Sequence, residues 1–142
     1  MRYLTLNAVP SAGIRIGEKV ACSHNHLGMA TSVLIVDDHP SFRASARMLL
    51  EAEGFDVVGE AEDGYEALRA VEELRPDVVL LDVQLPDIDG PEVARRVAAA
   101  NGLSPVIILT SSRGIEDIGA CNGVRGFIPK SELSGAALEA LL

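Results

Sequence analysis

Three aspartates, a threonine and a lysine, Asp37, Asp38, Asp82, Thr110 and Lys130, are spaced along this chain as a reaction centre would need them. Each stands at or just beyond the end of a short apolar run, and runs of that kind read as buried strands. Three converging carboxylates repel one another and raise one another's pKa unless a cation lies between them. A hard, oxygen-binding ion such as Mg²⁺ is the natural one. Phosphoryl transfer needs a nucleophilic oxygen, a cation to neutralise the phosphoryl oxygens, and donors that hold those oxygens in line. A carboxylate can be the nucleophile and form an acyl phosphate; Asp82, on the central third strand, is the best placed. Mg²⁺ held by Asp38, Asp82 and the backbone carbonyl of Gln84, with Asp37 acting through water, would bridge to the phosphoryl group. Lys130 and the Thr110 hydroxyl would hold the remaining oxygens. Taken singly, an Asp after a strand is an ordinary cap or turn former. The joint placement points to chemistry.

The elements that must position these residues alternate. Val33–Val36, Asp56–Glu60, Val78–Leu81, Val106–Leu109 and Arg125–Ile128 read as strands. Between them lie amphipathic stretches with Phe42, Ala46, Leu49 and Leu50 on one helical face, then Ala67, Leu68, Val71 and Leu74, then Val93, Ala94 and Val97. Pro40 suits a first helical turn, Gly54 a helix end, Asp63 with Glu66 a capping box, and Pro76 a stop. Such alternation predicts an α/β fold, a parallel sheet with helices on both faces. In that architecture a ligand binds outside the carboxyl ends of the strands, near the switch in strand order. The five residues would face one crevice there.

Composition sets the bounds. At 142 residues, 48% hydrophobic, the chain suits one core and carries no apolar run long enough for a membrane span. Residues 1–31 hold Arg2, Arg15 and Lys19 against Glu18, a balance of +2; residues 32–142 hold 9 basic and 20 acidic groups, a balance of −11. An acidic surface repels phosphate backbones, so direct nucleic-acid binding is not expected. Two cysteines suit a reduced, cytoplasmic setting. Residues 1–31 read as a flexible leader, or, given Met29, as an upstream extension; a hairpin through Tyr3–Val9 and Ile14–Val20 is the lesser alternative. Cys22, His24 and His26 lack a fourth zinc ligand and fit a solvated leader better.

Val33-Leu-Ile-Val-Asp-Asp-His39, Leu80-Leu-Asp82, Leu85-Pro86 with Asp89-Gly90, Leu109-Thr110-Ser111 and Gly126-Phe-Ile-Pro-Lys130 resemble the receiver domain of bacterial two-component response regulators. The likeness covers residue 33 to about 142. It implies a flavodoxin-like, doubly wound five-stranded sheet of order 2-1-3-4-5, with residues 32–142 as the receiver domain. It implies Asp82 as the phosphoacceptor, a sensor histidine kinase or phosphotransfer protein as donor, and Thr110 and Phe127 as a switch pair whose repacking is the output. Homodimerisation on phosphorylation is among the outcomes it allows. Such a domain catalyses only its own phosphorylation and dephosphorylation. Asp-Asp-His-Pro with Arg43, and Pro-Lys-Ser-Glu-Leu, resemble the NarL/FixJ-like subgroup, whose receivers precede a DNA-binding domain. Ser131–Leu142 is long enough for one helix, with Leu133, Ala137, Leu138 and Leu141 inward. A stand-alone receiver and a chain lacking its output region both fit.

The interval from Thr110 to Lys130 is about two residues short of the family's, and Gly114, Gly119 and Gly123 weaken its helix. A short or frayed fourth helix is expected there, on the face that usually selects partners. Pro129 precedes the lysine and should end strand pairing. Ser112 and Gln84 lie where the family tunes acyl-phosphate lifetime, and Ser111 is a further tuning candidate. His39 is either a further tuning residue or simply a polar opening to the first helix. Phe42 and Phe55 read as packing residues. Two rivals are weaker. A Mg²⁺-dependent phosphohydrolase would want an acid/base aspartate where Gln84 stands, and a phosphorylation-independent interaction module would not need Asp38, Asp82, Thr110 and Lys130 intact.

Overall fold

Val33–Val36 and Val78–Leu81 have almost no polar side chains because both faces of their sheet are covered. In the computed structural model, which describes residues 30–100, 102–113 and 123–142, they lie at the sheet's centre. The strands are β1 (Ser32–Val36), β2 (Asp56–Ala61), β3 (Val78–Asp82), β4 (Val106–Ser111) and β5 (Val124–Pro129), all parallel in the order β2-β1-β3-β4-β5. The expected fold class and strand order are therefore observed. Ser32–Leu142 forms one compact unit. The expected leader, its hairpin, the Cys-x-His-x-His run and the helix expected between Thr110 and Lys130 fall on residues outside those described.

Four helices flank the sheet among the described residues: α1 (Pro40–Ala52), α2 (Gly64–Leu74), α3 (Gly90–Ala99) and α4 (Gly135–Glu139). Alternate strand residues send Leu34, Val36, Val79, Leu81, Ile107 and Leu109 to a core shared with α2 and α3. Their neighbours Val33, Ile35, Val78, Leu80, Ile108 and Ile128 meet Ala46 and Leu50 of α1 and Leu138 of α4. Each large side chain so buried contributes roughly 1.5–3 kcal/mol. The C-terminal helix starts late, after the 3-10 turn Lys130–Glu132, because Ser134 caps it by accepting from Ala137 N at 2.9 Å.

Local punctuation follows the sequence with two differences. Pro40 opens α1, Gly54 follows it at φ 95°, and Arg75 ends α2 before Pro76. The capping box of α2 is offset. Asp63 accepts from Glu66 N at 2.8 Å, but Glu66 reaches back to Glu62 N at 2.7 Å rather than to Asp63. Leu74, expected on the inner face of α2, is 43% exposed because it lies at the helix end, beyond the core.

Candidate functional site

The site is built at the carboxyl ends of β1, β3, β4 and β5. Asp37 leaves β1 with its N–H still bonded to Ala61 O at 3.0 Å, and its own carbonyl accepts from Arg43 Nη1 at 2.5 Å. Its side chain is fully buried. Oδ1 accepts from His39 N at 2.8 Å and lies 2.9 Å from His39 Nδ1. Oδ2 is 2.6 Å from Lys130 Nζ, an ion pair by distance though not aligned as a hydrogen bond. Asp38, by contrast, is partly exposed, with His39 Nδ1 beside it at 3.0 Å. This division suits Asp38 for direct contact with an ion and Asp37 for indirect support.

Strands β3 and β4 run further than their apolar runs suggest, so Asp82 and Thr110 lie within the strands, as register partners. Asp82 is buried; Oδ1 accepts from Gln84 N at 3.3 Å and Oδ2 lies 3.4 Å from Lys130 Nζ. Burial pushes its carboxyl up from the ordinary value, the Asp37 charge adds to this, and Lys130 opposes both. Burial works against the Lys130 ammonium, yet Asp37 and Asp82 overcome it and raise the pKa. Thr110 Oγ1 is buried and has no hydrogen-bond partner among the described residues. A polar group left that way costs about 1–3 kcal/mol, so Thr110 is an unspent donor beside Asp82.

Asp37, Asp38, His39 and Asp82 each offer a ligand atom within 4.8 Å of the others. One ammonium among three carboxylates leaves excess negative charge, and the donors are mostly hard oxygens; both features fit Mg²⁺. His39 caps nothing with its side chain, although it is the N-cap residue of α1; its ring faces Asp37 and Asp38 instead. Phe127 is half-buried on β5 opposite Leu109 and packs against the α2/α3 core. Gln84 and Ser112 are exposed, while Ser111 is buried with its Oγ accepting from Arg113 N at 2.9 Å.

Three residues support the site through contacts that their places in the sequence did not reveal. Arg43, one turn into α1, ties the Asp37 carbonyl to Glu60 of β2. Phe42 presents its ring to Lys130 Nζ at 4.7 Å. Asp87 accepts from Gly64 N at 2.8 Å and Tyr65 N at 2.9 Å, fastening the loop after Asp82 to the start of α2. That loop packs closely enough to demand glycine twice. A Cβ on Gly90 would lie 2.3 Å from Asp82 O, and one on Gly64 2.3 Å from Ile88 Cγ1. Of the two glycines only Gly90 stood in a motif, the Asp89-Gly90 pair of the receiver resemblance.

Residues 33–141 match the response regulator receiver domain family. The chain is 37% identical over 109 residues to the transcriptional regulatory protein TrcR of Mycobacterium tuberculosis, covering 75% of this chain and 42% of TrcR. It is 44% identical over 92 residues to the DNA-binding response regulator MtrA of Mycolicibacterium smegmatis, covering 63% and 39%. The chain spans about half the length, or less, of the curated relatives it matches. Among solved structures, the signal receiver domain of the response regulator NarL from Mycobacterium tuberculosis superposes with a TM-score of 0.70 at 33% identity, over 79% of this chain and 96% of that one. CheY in the CheX–CheY–BeF3–Mg²⁺ complex from Borrelia burgdorferi gives a TM-score of 0.70 at 26% identity, over 80% and 87%. The chain belongs to the response regulator receiver family, the signalling domains of two-component systems.

Proposed function

We propose that residues 32–142 are a phosphoacceptor switch in which Asp82 takes a phosphoryl group from a histidine of a sensor kinase or phosphotransfer protein. The observation that carries this reading is the state of Asp82. It is buried, its pKa is raised first by that burial and then by Asp37, and it is flanked by the Lys130 ammonium and by a Thr110 hydroxyl with no partner among the described residues. Mg²⁺ held by Asp38, Asp82 and the Gln84 carbonyl, with Asp37 supporting through water, would lower the repulsion between the carboxylates and the phosphoryl oxygens. The presence of BeF3 and Mg²⁺ with the CheY relative agrees with such a site.

An Asp82 oxygen attacks phosphorus in line. The P–N bond to the donor imidazole breaks, its electron pair stays on nitrogen, and a P–O bond forms. Lys130 shifts towards the new phosphoryl oxygens, and Thr110 Oγ1 donates to one of them. Movement of Thr110 opens space that Phe127 can enter, and this repacking of the β4–β5 side is what a partner reads. Attack of water on phosphorus reverses the state, breaking the P–O bond to Asp82 and releasing phosphate. The chain would thus catalyse only its own modification. The domain would act in the cytoplasm, with output passing to a partner, to a second copy, or to a DNA-binding region like those of its relatives.

The test is incubation with Mg²⁺ and acetyl phosphate followed by intact-mass measurement. Wild type should gain a single phosphoryl group and Asp82→Asn none. An adduct that persists in Asp82→Asn, or none in wild type, would overturn the assignment.

A further inference from the structure

Lys130 is held from three sides. Its Nζ lies 2.6 Å from Asp37 Oδ2, 3.4 Å from Asp82 Oδ2 and 4.7 Å from the centre of the Phe42 ring. The two oxygens belong to groups that a metal ion and a phosphoryl group would also engage. The ring belongs to neither. Phe42 lies in the first turn of α1, half-buried and packed against the core beneath that helix. Its position is therefore set by packing and does not depend on what the carboxylates bind.

A lysine head on four flexible methylenes loses considerable rotamer freedom when fixed. An aromatic face within about 6 Å attracts the ammonium electrostatically and restricts where it can sit. We propose that Phe42 is a positioning residue that seats the Lys130 ammonium beside Asp82 through this cation–π contact. It thereby sets the rate at which Asp82 is phosphorylated, without contributing to metal affinity. The inference rests on Asp82 being the acceptor. A packing role alone would be served by any apolar side chain of similar size, whereas the seat needs a π face.

The test compares wild type, Phe42→Leu and Phe42→Tyr for the rate of phosphorylation by acetyl phosphate at saturating Mg²⁺, for Mg²⁺ affinity, and for thermal midpoint. Phe42→Leu should phosphorylate about three- to tenfold more slowly, the range a cation–π contact of this kind supports. Phe42→Tyr should recover to within about twofold of wild type for the same reason, and Mg²⁺ affinity should stay level across the set. An unchanged rate in Phe42→Leu, a tyrosine variant as slow as the leucine one, or Mg²⁺ affinity falling in step with rate would overturn the proposal. Should Phe42→Leu not fold, Phe42→Met makes the same comparison, since it keeps apolar bulk without a ring. Wild type that takes no phosphoryl group would instead condemn the Asp82 assignment itself, so the two failures are distinguishable.

Discussion

Asp82 and Asp87 are the same residue type, five positions apart, one at the end of β3 and the other on the loop after it, and their environments push them in opposite directions. Asp82 is buried against another carboxylate, and its pKa is raised by burial and by Asp37. Burial also acts on Asp87, but the N–H groups of Tyr65 and Gly64 outweigh it and hold that carboxyl below its ordinary value. Helix α2 thus donates its first two N–H groups to Asp87. Asp82 has one backbone donor, Gln84 N at 3.3 Å, and a lysine shared with Asp37. A carboxylate whose partners are complete holds the fold together. One left incomplete among other acids suits the role proposed for Asp82, acceptor of a cation and an electrophile.

The contrast can be broken most severely at Asp87. Asp87→Ala removes both acceptors at the start of α2, and denaturant unfolding should show a loss of about 1–2 kcal/mol, the range of a strong helix cap. Next is the metal. Mg²⁺ at ten times its Kd should stabilise wild type by about 1.4 kcal/mol, measured by thermal shift. Asp38→Ala should lose that gain while keeping its fold.

Asp82→Asn should do the opposite of Asp87→Ala, raising stability without Mg²⁺ by about 1 kcal/mol at neutral pH by relieving the carboxylate repulsion. The pH profile gives its sign. Because the folded pKa of Asp82 is raised, the unfolded chain ionises first, and wild type loses stability relative to Asp82→Asn as pH rises from 3.8 to the folded value. For Asp87 the folded pKa is lowered, so its contribution is present above 3.8 and is lost as pH falls. Unfolding followed across that range in wild type and both variants should show the two slopes with opposite signs. The smallest effect is expected at Glu92, whose carboxyl Arg95 and Arg96 hold at about 2 on an exposed helix surface. Glu92→Gln should lower the thermal midpoint only slightly, and the difference should shrink as salt is added.

Much of this arrangement was legible in the chain itself. Strands β1, β3 and β4 are covered on both faces, so their apolar runs were unambiguous, and the acids at their ends marked the crevice. Asp82 and Thr110 proved to be register partners because the ladder continues into the polar residues, which hydrophobicity alone does not signal. The offset cap at Glu62 and the outward turn of Leu74 depend on how α2 meets its neighbours. Phe42 read as a packing residue, and it does pack. What its periodicity could not convey was that the lysine after β5, 88 positions later, would rest against its ring. Asp87 drew no notice in the sequence, because its donors come from a helix 22 and 23 residues earlier.

The most direct test of the central claim is chemical mapping of the phosphorylated carboxyl. Wild type treated with Mg²⁺ and phosphoramidate, a P–N donor, is reduced with borohydride, which converts an aspartyl phosphate to homoserine, and the peptides are sequenced by mass spectrometry. Homoserine at position 82 alone is the predicted result. Homoserine at position 37 or 38, or a stable phosphate ester on a serine or threonine with Asp82 unmodified, would contradict the account.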